Sequence, residues 1–391
     1  MRKSALFGFG LVVTALVALG LVVLSSASEA NAVRLHNDAY FFMKRQFMYL
    51  GAGLAVMALA AWFDYRMWRE HISLAFAFFG AVFLLLLLVF AYPPINGSCR
   101  WLPLGPVRLQ PSELAKLAAV ILVAAWLDKA SWNIDRFRRG AMWPFVMIGA
   151  LALPIMKEPD FGSVMVVCFA GLLVMLVAGT KVVHMMPFVL LGLSVVGYKI
   201  FTNANRMARI AAFLGITLAA PVTGVDATAQ AAAAKRAAYQ QQQALIAIKN
   251  GGVFGVGLNQ SMQKHYYLPE AHTDFIFAIG AEELGLLFSV AVVSLFAAFF
   301  ALSVYIARKA SDRFGMLLVV GMSFIVFFQA MFNIGVVCRA LPTKGMALPF
   351  FSYGGTNMLS TFFAVGTILS VGIHSYRERR RITARGARAA G

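Results

Sequence analysis

The chain has 391 residues, of which 61% are hydrophobic and 13% charged, and its mean hydropathy is +0.77. Water-soluble domains carry about a quarter charged residues and under half apolar ones, so a soluble fold is excluded for want of polar surface to cover the apolar mass. Lys and Arg number 34 against 16 Asp and Glu, a formal net charge of +18, and where those charges fall should say what the protein handles.

A helix needs about 20 apolar residues to cross hydrocarbon. Ten stretches qualify, at about 5–24, 47–62, 72–92, 112–127, 142–156, 163–178, 185–201, 275–306, 314–337 and 357–374. The expected fold class is all-α: a polytopic membrane protein with about ten transmembrane helices forming one domain over 1–391, a long loop at 202–274 and a basic tail at 375–391. Arg2 and Lys3 precede the first stretch and Ala30-Asn31-Ala32 is like a signal-cleavage site. The apolar run is longer than the roughly 7–15 residues of a signal peptide core, so it reads as a retained helix.

Placing the N-terminus in the cytoplasm puts 18 basic and 6 acidic residues on the inner side. The basic ones are Arg2, Lys3, Arg66, Arg69, Lys129, Arg136, Arg138, Arg139, Lys181, Arg308, Lys309, Arg313 and six arginines of the tail. An excess of Lys and Arg in short inner loops sets orientation, and an even number of spans returns the C-terminus to the cytoplasm. The remaining 16 basic and 10 acidic residues lie on the outer side or near it. Long loops translocate whatever their charge, but Arg100, Arg108, Arg339 and Lys344 fall in short outward loops, which fits a site for an anionic substrate at the outer surface.

Within the long loop, 227–238 is low-complexity Ala, Gln, Lys and Arg, and 239–247 reads as a helix that ends at Gly251, Gly252, Gly255 and Gly257. These glycines lack the strand-before, helix-after context of a nucleotide fingerprint, so a re-entrant or membrane-surface turn is expected. Next come Glu270, His272 and Asp274 at the mouth of the eighth stretch, a candidate acid–base group; the bland alternative is a helix cap by Thr273 or Asp274. Glu282 and Glu283 follow about 12 Å along the same helix. Ionisable residues at membrane depth face a cavity or a partner, and Lys116, one turn into the helix opened by Pro111-Ser112-Glu113, is expected either to pair with Glu282 or Glu283 or to bind substrate phosphate. Lys157-Glu158-Pro159-Asp160-Phe161-Gly162 joins stretches five and six, and the Pro/Gly-rich run 341–355 reads as a broken or re-entrant segment. The His and Cys spacings carry no metal signature, no Walker or Rossmann motif is present, and no nucleic-acid role is expected.

In this order and topology, Gly97-Ser98-Cys99-Arg100-Trp101, Gln110-Pro111-Ser112-Glu113-Leu114-Ala115-Lys116, Glu158-Pro159-Asp160-Phe161-Gly162, Pro269-Glu270-Ala271-His272-Thr273-Asp274-Phe275 and Ser352-Tyr353-Gly354-Gly355 resemble the SEDS family (shape, elongation, division and sporulation) of peptidoglycan polymerases. Glu270-Ala271-His272 and Pro342-Thr343-Lys344-Gly345 look like the division-type (FtsW-like) branch more than the elongation-type (RodA-like) branch.

The resemblance implies a glycosyltransferase that polymerises lipid II, the undecaprenyl-diphosphate-linked disaccharide, into glycan strands at the outer face of the bacterial cytoplasmic membrane during division. Asp274 matches the family's essential aspartate and suits a general base, with Glu270 and His272 beside it in the catalytic set. Arg100, Trp101, Glu113, Lys116, Arg206, Arg209, Lys344, Ser352 and Tyr353 make the expected substrate-binding set, the cations receiving charge on the diphosphate leaving group. Glu158, Asp160, Glu282 and Glu283 are expected to support the site. A divalent cation, Mg or Mn, is a possible cofactor. The implied partners are lipid II, the nascent glycan strand, membrane lipid, a class B penicillin-binding transpeptidase and other division proteins. Alternatives are a lipid II flippase or a non-catalytic division scaffold. The chain departs from the family pattern at Cys99, Ala244 and Cys338-Arg339, and 215–238 looks like an insertion. Cys99 and Cys338, both outward-facing, are candidates for a disulfide, while Cys168 reads as a buried thiol.

Overall fold

A computed structural model describes residues 3–93, 99–105, 107–158, 160–202, 207, 210, 213, 227–265, 267–342 and 345–390. Each expected stretch coincides with a helix or the larger part of one. In chain order the helices are α1 (Lys3–His36), α2 (Phe41–Trp62), the single turn α3 (Met67–Glu70), α4 (Ile72–Leu88), α5 (Pro111–Lys129), α6 (Trp143–Lys157), α7 (Phe161–Val177), α8 (Val182–Phe201), α9 (Ala227–Gly251), α10 (Ile276–Arg308), α11 (Arg313–Val337) and α12 (Gly355–Ala390). Seven helical segments are long and apolar enough to cross a membrane, and α7 is a shorter apolar helix. A two-stranded antiparallel hairpin, β1 (Leu102–Leu104) and β2 (Val107–Leu109), leads into α5.

The bundle is built around α5, whose side chains are all buried from residue 115 to 125. A helix that is apolar on every side has no solvent face to keep; α4, α6, α7, α11 and α12 surround it. Lipid tails are as apolar as leucine, so association rests on close van der Waals contact through small residues. Gly321 of α11 lies so near Val120 of α5 that a Cβ would collide with it, and Gly366 of α12 touches the Met57 carbonyl of α2 in the same way. By contrast α8 buries only Met185 and is held through its Phe188 ring, stacked 4.5 Å from Phe145.

Two departures from simple helices shape the site end. α10 is broken at Gly285 (φ 74°, ψ −162°), and the Gly-rich run after α9 enters the break. There Val256 N–H donates to Glu282 C=O, Gly257 N–H to Glu283 C=O and Leu286 N–H to Gly252 C=O, each at 3.0 Å. A Cβ at Gly255 (φ 85°) would strike the Glu283 carbonyl. These glycines thus form the expected turn, and its backbone groups are satisfied by the broken helix. The second departure is the segment before α12, where Leu348, Phe350 and Phe351 are buried. It is a buried plug packed against α1, whose Gly20 has no room for a Cβ beside the Phe350 carbonyl.

α9 begins at Ala227, well before the expected 239, because its alanine-rich start has the highest helix propensity. Ala30, Asn31 and Ala32 lie inside α1, with Ala32 buried. The three cysteines are free thiols, so the Cys99/Cys338 disulfide is not formed; Cys168 is part-buried in α7. The charges divide as their loops required. Among the described residues, Arg66 pairs with Asp312 and Glu378, Arg69 with Asp128 and Lys181 with Asp135, all members of one expected set, and His374, which belongs to neither set, lies beside Asp64. Lys44 pairs with Asp38 and Lys264 with Glu283, all members of the other.

Candidate active site

Asp274 ends a tight turn. Glu270 adopts φ 56°, and its carbonyl accepts from the N–H groups of Thr273 and Phe275, each at 3.2 Å. α10 then starts with Phe275 as its N-cap, without a side-chain cap bond. The Thr273 hydroxyl is used instead on the Glu270 carboxylate at 2.7 Å. The Asp274 carboxylate lies against Gly345, where a Cβ would collide with its Oδ2. Asn333 of α11 donates to the Asp274 carbonyl at 2.7 Å and to the Met346 carbonyl at 2.6 Å, clamping the turn to the plug. Ser352 completes the clamp: its hydroxyl donates to Thr273 C=O at 2.5 Å and accepts from Leu348 N–H at 2.7 Å. Tyr353 N–H donates to His272 C=O at 3.1 Å.

The three titratable residues of this turn look different ways. Glu270 is exposed. His272 sits in an aromatic box, 4.8 Å from the Phe42 ring and 6.1 Å from the Tyr353 ring, with Asn31 of α1 at 3.4 Å. Burial pushes its imidazole below the usual value, against the charge of Glu270, so it is neutral at neutral pH. Burial also pushes the Tyr353 phenol up to about 12, with Arg45 hydrogen-bonding it.

Lys116 is 1% exposed in the bundle interior. Its ammonium meets Glu113 at 2.7 Å and the Gln329 side-chain carbonyl at 3.1 Å. Ser360 donates to Glu113 at 2.8 Å and Gln329 to Asn357 at 3.3 Å. The expected pairing of Lys116 with Glu282 or Glu283 is therefore wrong. Those two glutamates are on α10, which does not border α5, and the loop after α9 reaches them first. Glu283 takes Ser26 of α1 at 2.5 Å and Lys264 at 3.2 Å, while Glu282 takes Ser261 and the Asn250 amide.

Gln329 and Asn333 are one turn apart on one face of α11, about 6 Å along its axis. One holds Lys116 and the other holds the Asp274 turn. Neither was singled out from sequence, nor were Asn357 and Ser360; the available signal was amide and hydroxyl side chains at helical spacing inside apolar stretches.

At the edge of the site, the Arg100 Nε donates to the Glu158 main-chain carbonyl at 3.1 Å. Asp160 caps α7, accepting from Ser163 N–H at 3.3 Å, the Ser163 hydroxyl at 2.7 Å, Gln110 at 3.1 Å and Ser112 at 3.2 Å. Gln110 N–H reaches Thr356 at the start of α12 at 3.1 Å, next to the plug that carries Ser352 and Tyr353. Glu158 is fully buried and neither carboxylate oxygen has a hydrogen-bond partner. Burial first, then the charge of Asp160, pushes it up to about 8 against the pull of Arg100. Trp101 is half-buried before β1. Arg206, Arg209 and Lys344 lie outside the described residues, though Gly345 places the chain after Lys344 against Asp274. Among the described residues no three metal-ligating side chains converge.

The family described as cell cycle protein, covering FtsW, RodA and SpoVE, matches residues 8–377. The chain is 36% identical over 365 residues to a Geobacter metallireducens protein named probable peptidoglycan glycosyltransferase FtsW, spanning 92% of each chain. It is 38% identical over 367 residues to a protein of that name from Thioalkalivibrio sulfidiphilus, spanning 93% of this chain and 88% of the other. Stage V sporulation protein E of Bacillus subtilis is 34% identical over 360 residues, 92% and 94% of the two chains. Among solved structures, Thermus thermophilus rod shape determining protein RodA superposes with a TM-score of 0.65 at 27% identity, over 95% of this chain and 97% of that one. A chain from a structure described as structural coordination of polymerization and crosslinking by a peptidoglycan synthase complex gives 0.66 at 26% identity, over 95% and 98%. The FtsW names agree with the division-type resemblance of the motifs. With its apolar helices and these likenesses, the chain is a multi-pass membrane protein that belongs to the FtsW/RodA/SpoVE family of cell cycle proteins.

Proposed function

We propose that this protein is a peptidoglycan glycosyltransferase that joins lipid-diphosphate-linked disaccharides into glycan strands at the outer face of the cytoplasmic membrane, in division. The observation that carries this reading is the single turn of α11 that holds Lys116 through Gln329 and the Asp274 turn through Asn333. The turn that carries the candidate base is thereby tied to the same helix face that holds a buried cation. Asp274 is the general base: it takes the proton of the acceptor sugar's 4-hydroxyl as that oxygen attacks the anomeric carbon of the lipid-linked donor. The bond to the diphosphate breaks, and preorganised cations receive the charge that develops on it. Lys116 and Arg100 fill that role among the described residues, and Arg206, Arg209 and Lys344 extend the set. Glu113 holds the Lys116 side chain in place from one turn away on α5. In the orientation expected from the loop charges, with both termini in the cytoplasm, this end of the bundle faces outward. A crosslinking transpeptidase of the class B penicillin-binding type, packed against the helices, would act on the same nascent strand; the complex named for polymerization and crosslinking supports that partnership.

Labelled lipid II offered to the purified protein with its transpeptidase partner tests the proposal. Wild type is expected to make glycan strands and Asp274→Ala to make none. Movement of lipid II across vesicles without polymer from wild type would instead favour the flippase reading, and normal polymer from Asp274→Ala would remove Asp274 as the base.

A further inference from the structure

Glu158 has no role in the reaction as just described, and its surroundings are unusual. It is fully buried at the turn between α6 and α7, and both oxygens of its side chain lack partners. A buried carboxylate in that state is costly. Arg100 is adjacent, yet its Nε goes to the main-chain carbonyl of Glu158, and no ion pair joins the two side chains. Two residues on, Asp160 has four donors: Ser163 N–H, the Ser163 hydroxyl, Gln110 and Ser112. Where two carboxyls share a site, the one with donors keeps the charge and the other keeps the proton. The charged groups acting on Glu158 are Asp160, from its own turn, and Arg100, from the segment before β1.

We propose that Glu158 is a proton-carrying residue that tunes anion binding at Arg100: as a neutral acid it leaves the attraction of Arg100 for a diphosphate undiminished, and as a carboxylate it opposes the same anion. This rests on the reading that Arg100 meets the diphosphate of the lipid-linked substrate. Glu158 is thus a positioning residue acting through Arg100, and the coupling runs both ways. An anion bound beside Arg100 makes Glu158 harder to ionise, so substrate binding takes up a proton when the free protein has begun to lose it. The direction agrees with the upward shift noted above.

The test uses the full chain with its transpeptidase partner and measures KM and kcat for lipid II polymerisation from about pH 6 to about pH 9.5. In wild type, KM is expected to rise roughly three- to tenfold as pH passes the titration of Glu158, with a smaller change in kcat. Glu158→Gln, which copies the neutral acid, keeps the neutral-pH KM within about twofold and removes that rise. An equally steep rise in Glu158→Gln, or a large loss of affinity in it at neutral pH, overturns the proposal. A second measurement needs wild type alone: calorimetric titration with lipid II near pH 8, in buffers of different ionisation heat, reads the proton taken up. No uptake overturns the proposal whatever the variant does. Arg100→Gln separates the two readings, because an unchanged KM there removes the diphosphate from Arg100, while a raised KM with a flat wild-type pH profile removes only the role of Glu158.

Discussion

Among the described residues the molecule buries two lysine–glutamate pairs, and they are built differently. Lys264 and Glu283 come from a loop and a broken helix, and Ser26 brings in α1. That pair fastens three separated parts of the chain. Glu113 and Lys116 are one turn apart on the same helix, so the ion pair itself joins no separate segments, although its members also reach α11 through Gln329 and α12 through Ser360. Burying two charges costs several kcal/mol per ion, and a well-packed apolar pair is often as stable. Gln329 and Ser360 could be held by neutral partners, so the use of a charged same-helix pair at the centre of an apolar bundle is better sought in holding a cation ready for an anion.

The contrast breaks most sharply under single substitution. Lys264→Met leaves Glu283 buried without its cation and is expected to cost about 3–5 kcal/mol, read as a lower Tm. Adding Glu283→Leu recovers stability and, with it, activity. Lys116→Met with Glu113→Gln recovers stability as well but leaves polymerisation down by about a hundredfold or more. If the Lys116 double variant polymerises normally, the two pairs are the same kind of feature after all. Next in size is Gly345→Ala, whose Cβ would displace the Asp274 carboxylate. Misplacing a reacting group by about 1 Å costs up to about a hundredfold, so kcat falls while Tm moves little; an unchanged kcat would detach Asp274 from this wall of the site.

A smaller effect follows from Glu158, the buried carboxyl with no cation partner of its own. Its pKa is raised from 4.5 to about 8, so between those values the folded protein holds a proton that the unfolded chain has released. Stability therefore falls as pH rises through that window, by at most about 1.4 kcal/mol per pH unit, and is flat with respect to this group on either side. Thermal unfolding of wild type and Glu158→Gln across the window checks it, and parallel curves would show that Glu158 does not titrate there. Smallest is Lys44→Ala. The Lys44/Asp38 pair is exposed and surface pairs contribute little, so Tm is expected to stay where it is.

Hydropathy carried most of the fold, because crossing hydrocarbon imposes a length that few other constraints mimic. Charge partition was equally legible: among the described residues, the loop ion pairs of Arg66, Arg69 and Lys181 join residues assigned to the same side. What failed was partner choice at depth. Lys116 was matched with Glu282 or Glu283 because those are conspicuous, although Glu113 stands at the i,i−3 position that helix geometry favours. Lys264 was passed over as one cation among many in a long loop, since nothing local says that the loop folds back to α10. The break at Gly285 was silent for a related reason. A lone glycine in an apolar helix is common, and only the inserted Gly-rich turn forces the left-handed backbone there. Asp274 and Ser352 were found through motifs, but the bonds by which Ser352 and Asn333 hold the Asp274 turn end on main-chain carbonyls that no side-chain pattern records.

The length of α1 serves as a depth gauge. Counting from Lys3 at one surface, about 20 residues at 1.5 Å each use up some 30 Å of hydrocarbon. Asn31, which touches His272, stands eight residues further along this continuous helix, about 12 Å farther before tilt shortens it. On that count, and in the proposed orientation, the turn bearing Asp274 would lie at the level of the headgroups, beyond the lipid tails. A sugar at that height can stay joined through its diphosphate to a prenyl chain still dissolved in the bilayer. The substrate is handled where it floats, and a strand grown by this chain would leave upward with its anchor in place.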